Sequence, residues 1–280
     1  MAARPAPAPV TEAVTEAVDV RRRRGVAGVA AKAAVYAYPV VLVVVAWEVV
    51  AGSGLFTPFT LPSPERVWDR ARTAWEEGTL LEASRITLGR VLASFGLALA
   101  AGVPLGLLMG RVRTVRLMFR PVVSFLFPTP KVAVYPALVI LFGLGTASKV
   151  AMGFAEAVFP VLLATTAASS RVEPSMVWSA RGLGTSRAGV LVRVVLPAAL
   201  PGILTGARIG LVGAISGVFV AELIVAADGL GHDMAVAYRT LATADMYVAV
   251  VMICAIGFVL DRLFLLARAR LLAWTEEGPR

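Results

Sequence analysis

The chain has 280 residues, of which 58% are apolar and 16% charged, and a mean hydropathy of +0.80. A soluble domain holds about 45–50% apolar and about 25% charged residues, so a single water-soluble core is excluded and lipid is the expected solvent. One cysteine (Cys254) and one histidine (His232) exclude an internal disulfide and a Cys/His zinc site. The net charge of +9 is read first as a report of membrane sidedness rather than as a nucleic-acid footprint.

Residues 1–31 lack helical or strand periodicity and end on Arg21, Arg22, Arg23 and Arg24, which reads as a mobile tail with a basic stop. The apolar stretch 33–52 is long for a cleaved leader and long enough to cross a ~30 Å hydrocarbon core. It is taken as an uncleaved first span. Five further spans are expected at 91–110, 121–145, 150–168, 209–227 and 246–266, which makes an all-α, six-span polytopic membrane protein with residues 32–280 as one transmembrane domain. Even span number puts both termini on one side. The tail, the second-to-third loop, the fourth-to-fifth loop and the C-terminus carry 18 basic residues, against Arg66, Arg70, Arg72, Lys149 and Arg239 on the other side. The termini are therefore expected in the cytoplasm.

On the outer side, Pro64-Glu65-Arg66 followed by Val67, Trp68, Ala71 and Trp75 predicts a short amphipathic helix with proline in its first turn. On the cytoplasmic side, the connection 169–203 is far longer than a simple connector needs. Pro174 opens a helical run with Met176, Val177, Ala180 and Leu183; Gly182 and Gly184 break it. A second run, Val190, Leu191, Val194 and Val195, is expected to stop at Leu196-Pro197, with Pro201 soon after. Two short surface helices joined by a glycine turn would project as a knob, the plainer alternative being an interfacial amphipathic helix.

Here the sequence resembles the permease subunits of ATP-binding-cassette importers. Their loop signature runs Glu-Ala-Ala, three residues, Gly, nine residues, Ile, one residue, Leu-Pro. In this chain Trp178, Ser179 and Ala180 are followed by Gly184, Val194, Leu196 and Pro197 at that spacing, with Trp178 and Ser179 replacing the Glu and first Ala. LPSPERVW, GVPLGLLMGR, PTPKVAVYPALVILFGLGTASK, LPAALPGILTGARIGL, AELI and DGLG extend the resemblance over roughly residues 60–275, towards the branch importing nitrate, taurine and aliphatic sulfonates. The resemblance implies a type I importer permease fold with its core at about 84–268. It implies a coupling helix in the loop, docking ATPase subunits, a soluble substrate-binding protein, a second permease copy, an inner-membrane location and no cofactor.

The chain itself lacks a phosphate-cradling Gly-x-x-x-x-Gly-Lys-[Ser/Thr], since Lys32, Lys131 and Lys149 are followed by Ala, Val and Val. ATP hydrolysis is thus expected on a partner. Among intramembrane ionisable residues, Lys131 after Pro128-Thr129-Pro130 reads either as a cationic pathway group or as a side chain that snorkels or pairs with Glu222 or Glu156. Glu222 is a gate or a packing acid; Glu156 is equally open. Gly102/Gly106/Gly110 and Gly206/Gly210 form small faces suited to close helix approach. Cys254 is expected to pack within the sixth span, and His232 to lie in an outer loop. An intramembrane enzyme fits poorly, because Gly213–Gly217 has one residue too many for a membrane serine protease and Asp228, Asp233 and Asp245 are spread along an outer loop. A secondary transporter is the stronger rival, though it has no use for the knob.

Overall fold

The computed structural model describes Tyr38 and residues 41–274. The tail with Arg21–Arg24, most of the first third of the first expected span, and Arg280 lie outside the described residues. Two compact units are distinguished, Met1–Arg66 and Val67–Arg280.

In the first unit, α1 (Val41–Gly52) is the described part of the first expected span, and Glu48 is exposed on it. The Trp47 indole donates to the Pro62 carbonyl at 3.1 Å, tying the following loop back to this helix. The expected amphipathic helix forms as α2 (Pro64–Glu76), most of which belongs to the second unit, with Val67 buried and Trp68 and Trp75 exposed.

In the second unit four helices are long and apolar enough to span: α3 (Thr79–Arg111), α6 (Thr146–Ser170), α8 (Arg187–Ile224) and α10 (Thr243–Leu271). The segment expected as a third span interrupted by its prolines is two helices, α4 (Arg113–Leu126) and α5 (Lys131–Phe142), bent by 103°. Pro128 and Pro130 explain the bend, since proline supplies no N–H and pushes its predecessor out of the helical region. The carbonyls freed there are satisfied locally: Thr129 Oγ1 donates to Phe125 at 2.8 Å and Lys131 Nζ to Phe127 at 2.8 Å. So the described residues hold four spanning helices and one bent pair, with the first expected span only partly described.

Two element boundaries differ from the sequence expectation. Helix α3 begins at Thr79, well before residue 91, because the charge of Arg90 is neutralised inside the protein and the helix need not stop at it. The run after the knob is not a separate surface helix. Residues 187–190 pass through a π turn, Leu191–Val195, straight into the helix that continues to Ile224. Leu196 N–H donates to Leu191, five residues back. This wider turn absorbs the missing N–H and the ring bulk of Pro197, which would otherwise clash with a carbonyl four residues earlier.

The core is the contact of α3, α6 and α8. Lipid gives helices little hydrophobic reason to associate, so close backbone approach through small residues does the work. A Cβ on Gly106 would lie 2.6 Å from Thr165 Cβ, one on Gly210 2.7 Å from Val161, and one on Gly206 would overlap Ala164. Val91, Ala98, Ala157, Leu211, Ala214 and Val218 fill the centre. The glycine faces thus pack within the chain. At the end where α3 finishes, Arg116 donates to the Met109 carbonyl at 2.8 Å and to Gly110 at 2.5 Å, satisfying the orphan acceptors of the last turn. Helix α10 lies alongside through a Phe95–Phe264 edge contact and an Arg208–Asp261 ion pair; Cys254 is exposed on it rather than packed.

Gly206→Val should prevent α8 from seating against α6, and detergent-solubilised protein should lose its cooperative melt. Gly96, with open space where a Cβ would go, serves as the control: Gly96→Ala should hold or raise stability by up to about 1 kcal/mol.

Candidate functional site

Two constellations stand at opposite ends of the helices. At the knob end, α7 (Pro174–Gly182) starts on proline and finishes in a left-handed glycine turn. Gly184 has φ +80°; its N–H donates to Arg181 at 2.9 Å, and Thr185 N–H donates to Ala180 at 3.0 Å. These two bonds are the Schellman motif, with Ala180 at its start and Gly184 in the left-handed position. The three-residue spacing between Ala180 and Gly184 is therefore the spacing of a helix stop. Nothing lies within 4 Å of a Cβ at Gly184, so backbone conformation rather than crowding demands glycine. Ser186 then caps α8, its Oγ accepting from Gly189 N–H at 3.1 Å.

The knob is seated on the membrane helices by Val172, Val177, Val190, Val195, Ala199 and Ile203 with Leu107 of α3. Val194, Leu196 and Pro197 belong to the turn of α8 just above it. Its outer surface is apolar and open: Trp178 is 70% exposed and Leu183 88%. Ser179 follows Trp178 on the same helix, and its carbonyl accepts from Leu183 N–H.

At the far end, a charged cluster joins four elements. Arg90 Nη1 donates to Glu222 Oε1 at 2.7 Å, and Nη2 to Asp228 Oδ1 at 2.5 Å and to Thr146 Oγ1 at 3.3 Å. Arg90 is 3% exposed and the Glu222 side chain fully buried. Thr87 Oγ1 donates to Glu222 Oε2 at 2.8 Å and accepts from Leu230 N–H at 2.9 Å; Gly231 N–H donates to Glu222 Oε2 at 3.1 Å. The carboxylate leaves no room for side chains beside it, because a Cβ on Gly229 would lie 2.6 Å from its carbon and one on Gly231 2.6 Å from Glu222 Cβ. Thus AELI and DGLG, far apart as strings, are one site that pins the start of α9 (Leu230–Arg239) to α3 and α8.

Glu222 is therefore paired with Arg90, not with Lys131. Lys131 instead caps the broken helix and sits 5.5 Å from the centroids of Phe127 and Phe159. Glu156 is half-buried on α6, its Cγ 3.0 Å from where a Gly217 Cβ would stand. Lys149 is buried and donates to the Leu144 carbonyl. His232 lies on α9 rather than in a loop. Arg90 and Thr87 escaped the sequence reading, which took Asp228 only as an outer-loop acid; the signal was present, in that Thr87 and Arg90 share a helix face and Arg90 adjoins an otherwise uncharged apolar run.

Breaking a buried pair from one side costs about 3–5 kcal/mol, whereas replacing both partners with apolar groups can be neutral. Arg90→Met should therefore lower the melting temperature sharply and loosen α9. Arg90→Met with Glu222→Leu should recover part of that loss, measured by thermal unfolding in detergent and by proteolysis of residues 225–242.

Residues 102–272 match the family described as the binding-protein-dependent transport system inner membrane component. The taurine transport system permease protein TauC of Escherichia coli (strain K12) is 35% identical over 236 residues, covering 82% of this chain and 86% of that protein. The putative aliphatic sulfonates transport permease protein SsuC of Bacillus subtilis (strain 168) is 28% identical over 85% of this chain and 86% of its own length. The bicarbonate transport system permease protein CmpB of Synechococcus elongatus is 32% identical over 63% and 64%. Among solved structures, a chain of the inward-facing MetNI methionine ABC transporter superposes with a TM-score of 0.59 at 19% identity, covering 70% of this chain and 97% of that one, which speaks to the fold. With the family matched over most of the spanning helices and a relative above 30% identity along most of the chain, this protein belongs to the binding-protein-dependent inner membrane components, the membrane-spanning permease subunits of importers.

Proposed function

We propose that the chain forms the translocation pathway of an ATP-driven importer for a small anionic solute, with the ATPase subunits docking on the knob around Trp178, Ser179, Ala180 and Gly184. The observation that carries this reading is the knob itself: a rigid Schellman turn that holds Trp178 and Leu183 out into solvent and continues directly into a spanning helix. A lone interfacial helix needs no such stop, and a secondary transporter has no partner to receive there. ATP closes the ATPase pair, the knobs of two permease copies approach, and the helices behind them open the pathway towards the binding protein. The knob and both termini are cytoplasmic in this reading, in line with the clustering of arginines on that side.

The solutes named for the relatives, taurine, aliphatic sulfonates and bicarbonate, share an anionic oxygen group. That supports an anionic cargo here, delivered by a soluble binding protein. Lys131, beside the break between α4 and α5, and Glu156 are pathway candidates; Glu222 supports the pathway's far end by fixing α9.

Coexpression with the ATPase and binding protein, followed by uptake of labelled taurine, ethanesulfonate, nitrate and bicarbonate, tests the reading. ATP-dependent uptake of at least one is expected, and uptake that survives loss of the ATPase would contradict it. Gly184→Arg should insert normally, copurify poorly with the ATPase and abolish uptake; the left-handed conformation costs any side chain about 1–2 kcal/mol, and the long cation blocks docking. Trp178→Ala should weaken copurification roughly tenfold, the scale of an interface hot spot. Because Trp178 stands where the family signature has an acid, raising the salt to 0.5 M should change wild-type copurification little.

A further inference from the structure

Within the spans, one ion pair leaves part of its chemistry unused. Arg208 on α8 donates through Nε to Asp261 Oδ1 at 2.6 Å and through Nη2 to Asp261 Oδ2 at 2.9 Å. This side-on contact occupies one edge of the guanidinium. Nη1, with two N–H groups, donates to nothing among the described residues. The side chains are 44% and 21% exposed, unlike the sealed Arg90–Glu222 pair. At ~1.5 Å per residue Arg208 lies about 18 Å along the axis from Leu196 and about 24 Å from Ile224, so it is well inside this helix.

The surface around it is mixed, with Ile209 and Val212 exposed beside polar groups. Thr205, Arg208, Val212 and Ser216 follow one another at three- and four-residue steps, which places them on one face of α8. All four are exposed, and three are polar. Gly206, Gly210, Gly213 and Gly217 turn instead towards α6. An arginine exposed to hydrocarbon is costly, about 2.5–3.5 kcal/mol at a helix centre on insertion scales, and such groups on spanning helices face water or protein.

We propose that this face of α8 lines a water-filled passage in which the open edge of Arg208, oriented by Asp261, binds an anionic oxygen group of the passing solute. The site deepens the permease reading above and rests on it. A guanidinium edge presents parallel donors that match two oxygens of a carboxylate, sulfonate, nitrate or bicarbonate. Arg262 follows Asp261 in sequence, with its guanidinium 4.8 Å over the Phe258 ring, so the three formal charges leave a net +1. Asp261 also keeps the site weak, as passage requires: binding must favour entry and still permit release.

The test uses the full complex in membranes, with Cys254→Ala as background and single cysteines at positions 205, 212 and 216. Each is treated with an anionic (sulfonatoethyl) or a cationic (trimethylammonioethyl) methanethiosulfonate. Thr205→Cys and Val212→Cys should react with both reagents and favour the anionic one, and the preference should fade at Ser216→Cys, two turns away. Adding Arg208→Gln lowers the formal charge of the cluster from +1 to 0, removes the guanidinium edge beside Asp261, and should shift the anionic-to-cationic rate ratio roughly tenfold towards the cation. Arg208→Gln with Asp261→Asn, which returns the formal charge to +1 through Arg262 and guards against a folding defect, should recover an anionic preference weaker than that of the unaltered pair. Arg208→Lys should retain an anionic preference. Cysteines inert to both reagents, or a ratio indifferent to Arg208, would overturn the site. ATP-driven uptake by the unlabelled complex is recorded in the same membranes: uptake with inert cysteines rejects the site alone, whereas absent uptake counts against the permease reading.

Discussion

Lipid cannot reward helices for hiding apolar side chains, and everything in this structure follows from that constraint. The three helices at its centre are held instead by backbone approach: Gly102, Gly106 and Gly110 of α3, and Gly206, Gly210, Gly213 and Gly217 of α8, each present a bare Cα to α6. Close packing of this kind fixes the helices rigidly but specifies little at their ends. There the charged groups take over. Arg116 closes the last turn of α3, and Arg90 with Glu222 ties α3, α8 and α9 together at the other end. The basic residues near the knob thus satisfy carbonyls as well as marking a membrane side.

Helix α8 carries three tasks that sequence strings keep apart. Its first turns follow the knob, its glycine face builds the core, and its open face carries Thr205, Arg208 and Ser216. The π turn at Leu191–Val195 lets these tasks share one axis, because it accommodates Pro197 without a break. A push on the knob then reaches the open face without crossing a loop.

The sequence made the spanning class legible, because apolar excess is a bulk property that no tertiary detail can reverse. Motif spacing made the knob legible too, since Ala180 and Gly184 record a local helix stop whose hydrogen bonds lie within six residues. What escaped were pairings across long stretches of chain. Arg90 and Glu222 are separated by 132 residues, and Arg208 and Asp261 by 53; no periodicity connects either pair. Prolines were read unevenly. Pro197 was expected to end a helix and is absorbed by a π turn, while Pro128 and Pro130 interrupt the third span as expected, with a bend of 103°. The difference lies in the neighbouring backbone, which one chain's residue order does not reveal.

If α8 is the lever between knob and pathway, its length must not change during transport. Spin labels at Arg187 and Ile224, in a Cys254→Ala background and in the full complex, read that length by electron–electron distance measurement. With and without ATP, the separation should agree within about one helical rise, ~1.5 Å. A shift approaching a helical turn, about 5 Å, would make the π turn a hinge and contradict a rigid coupling helix.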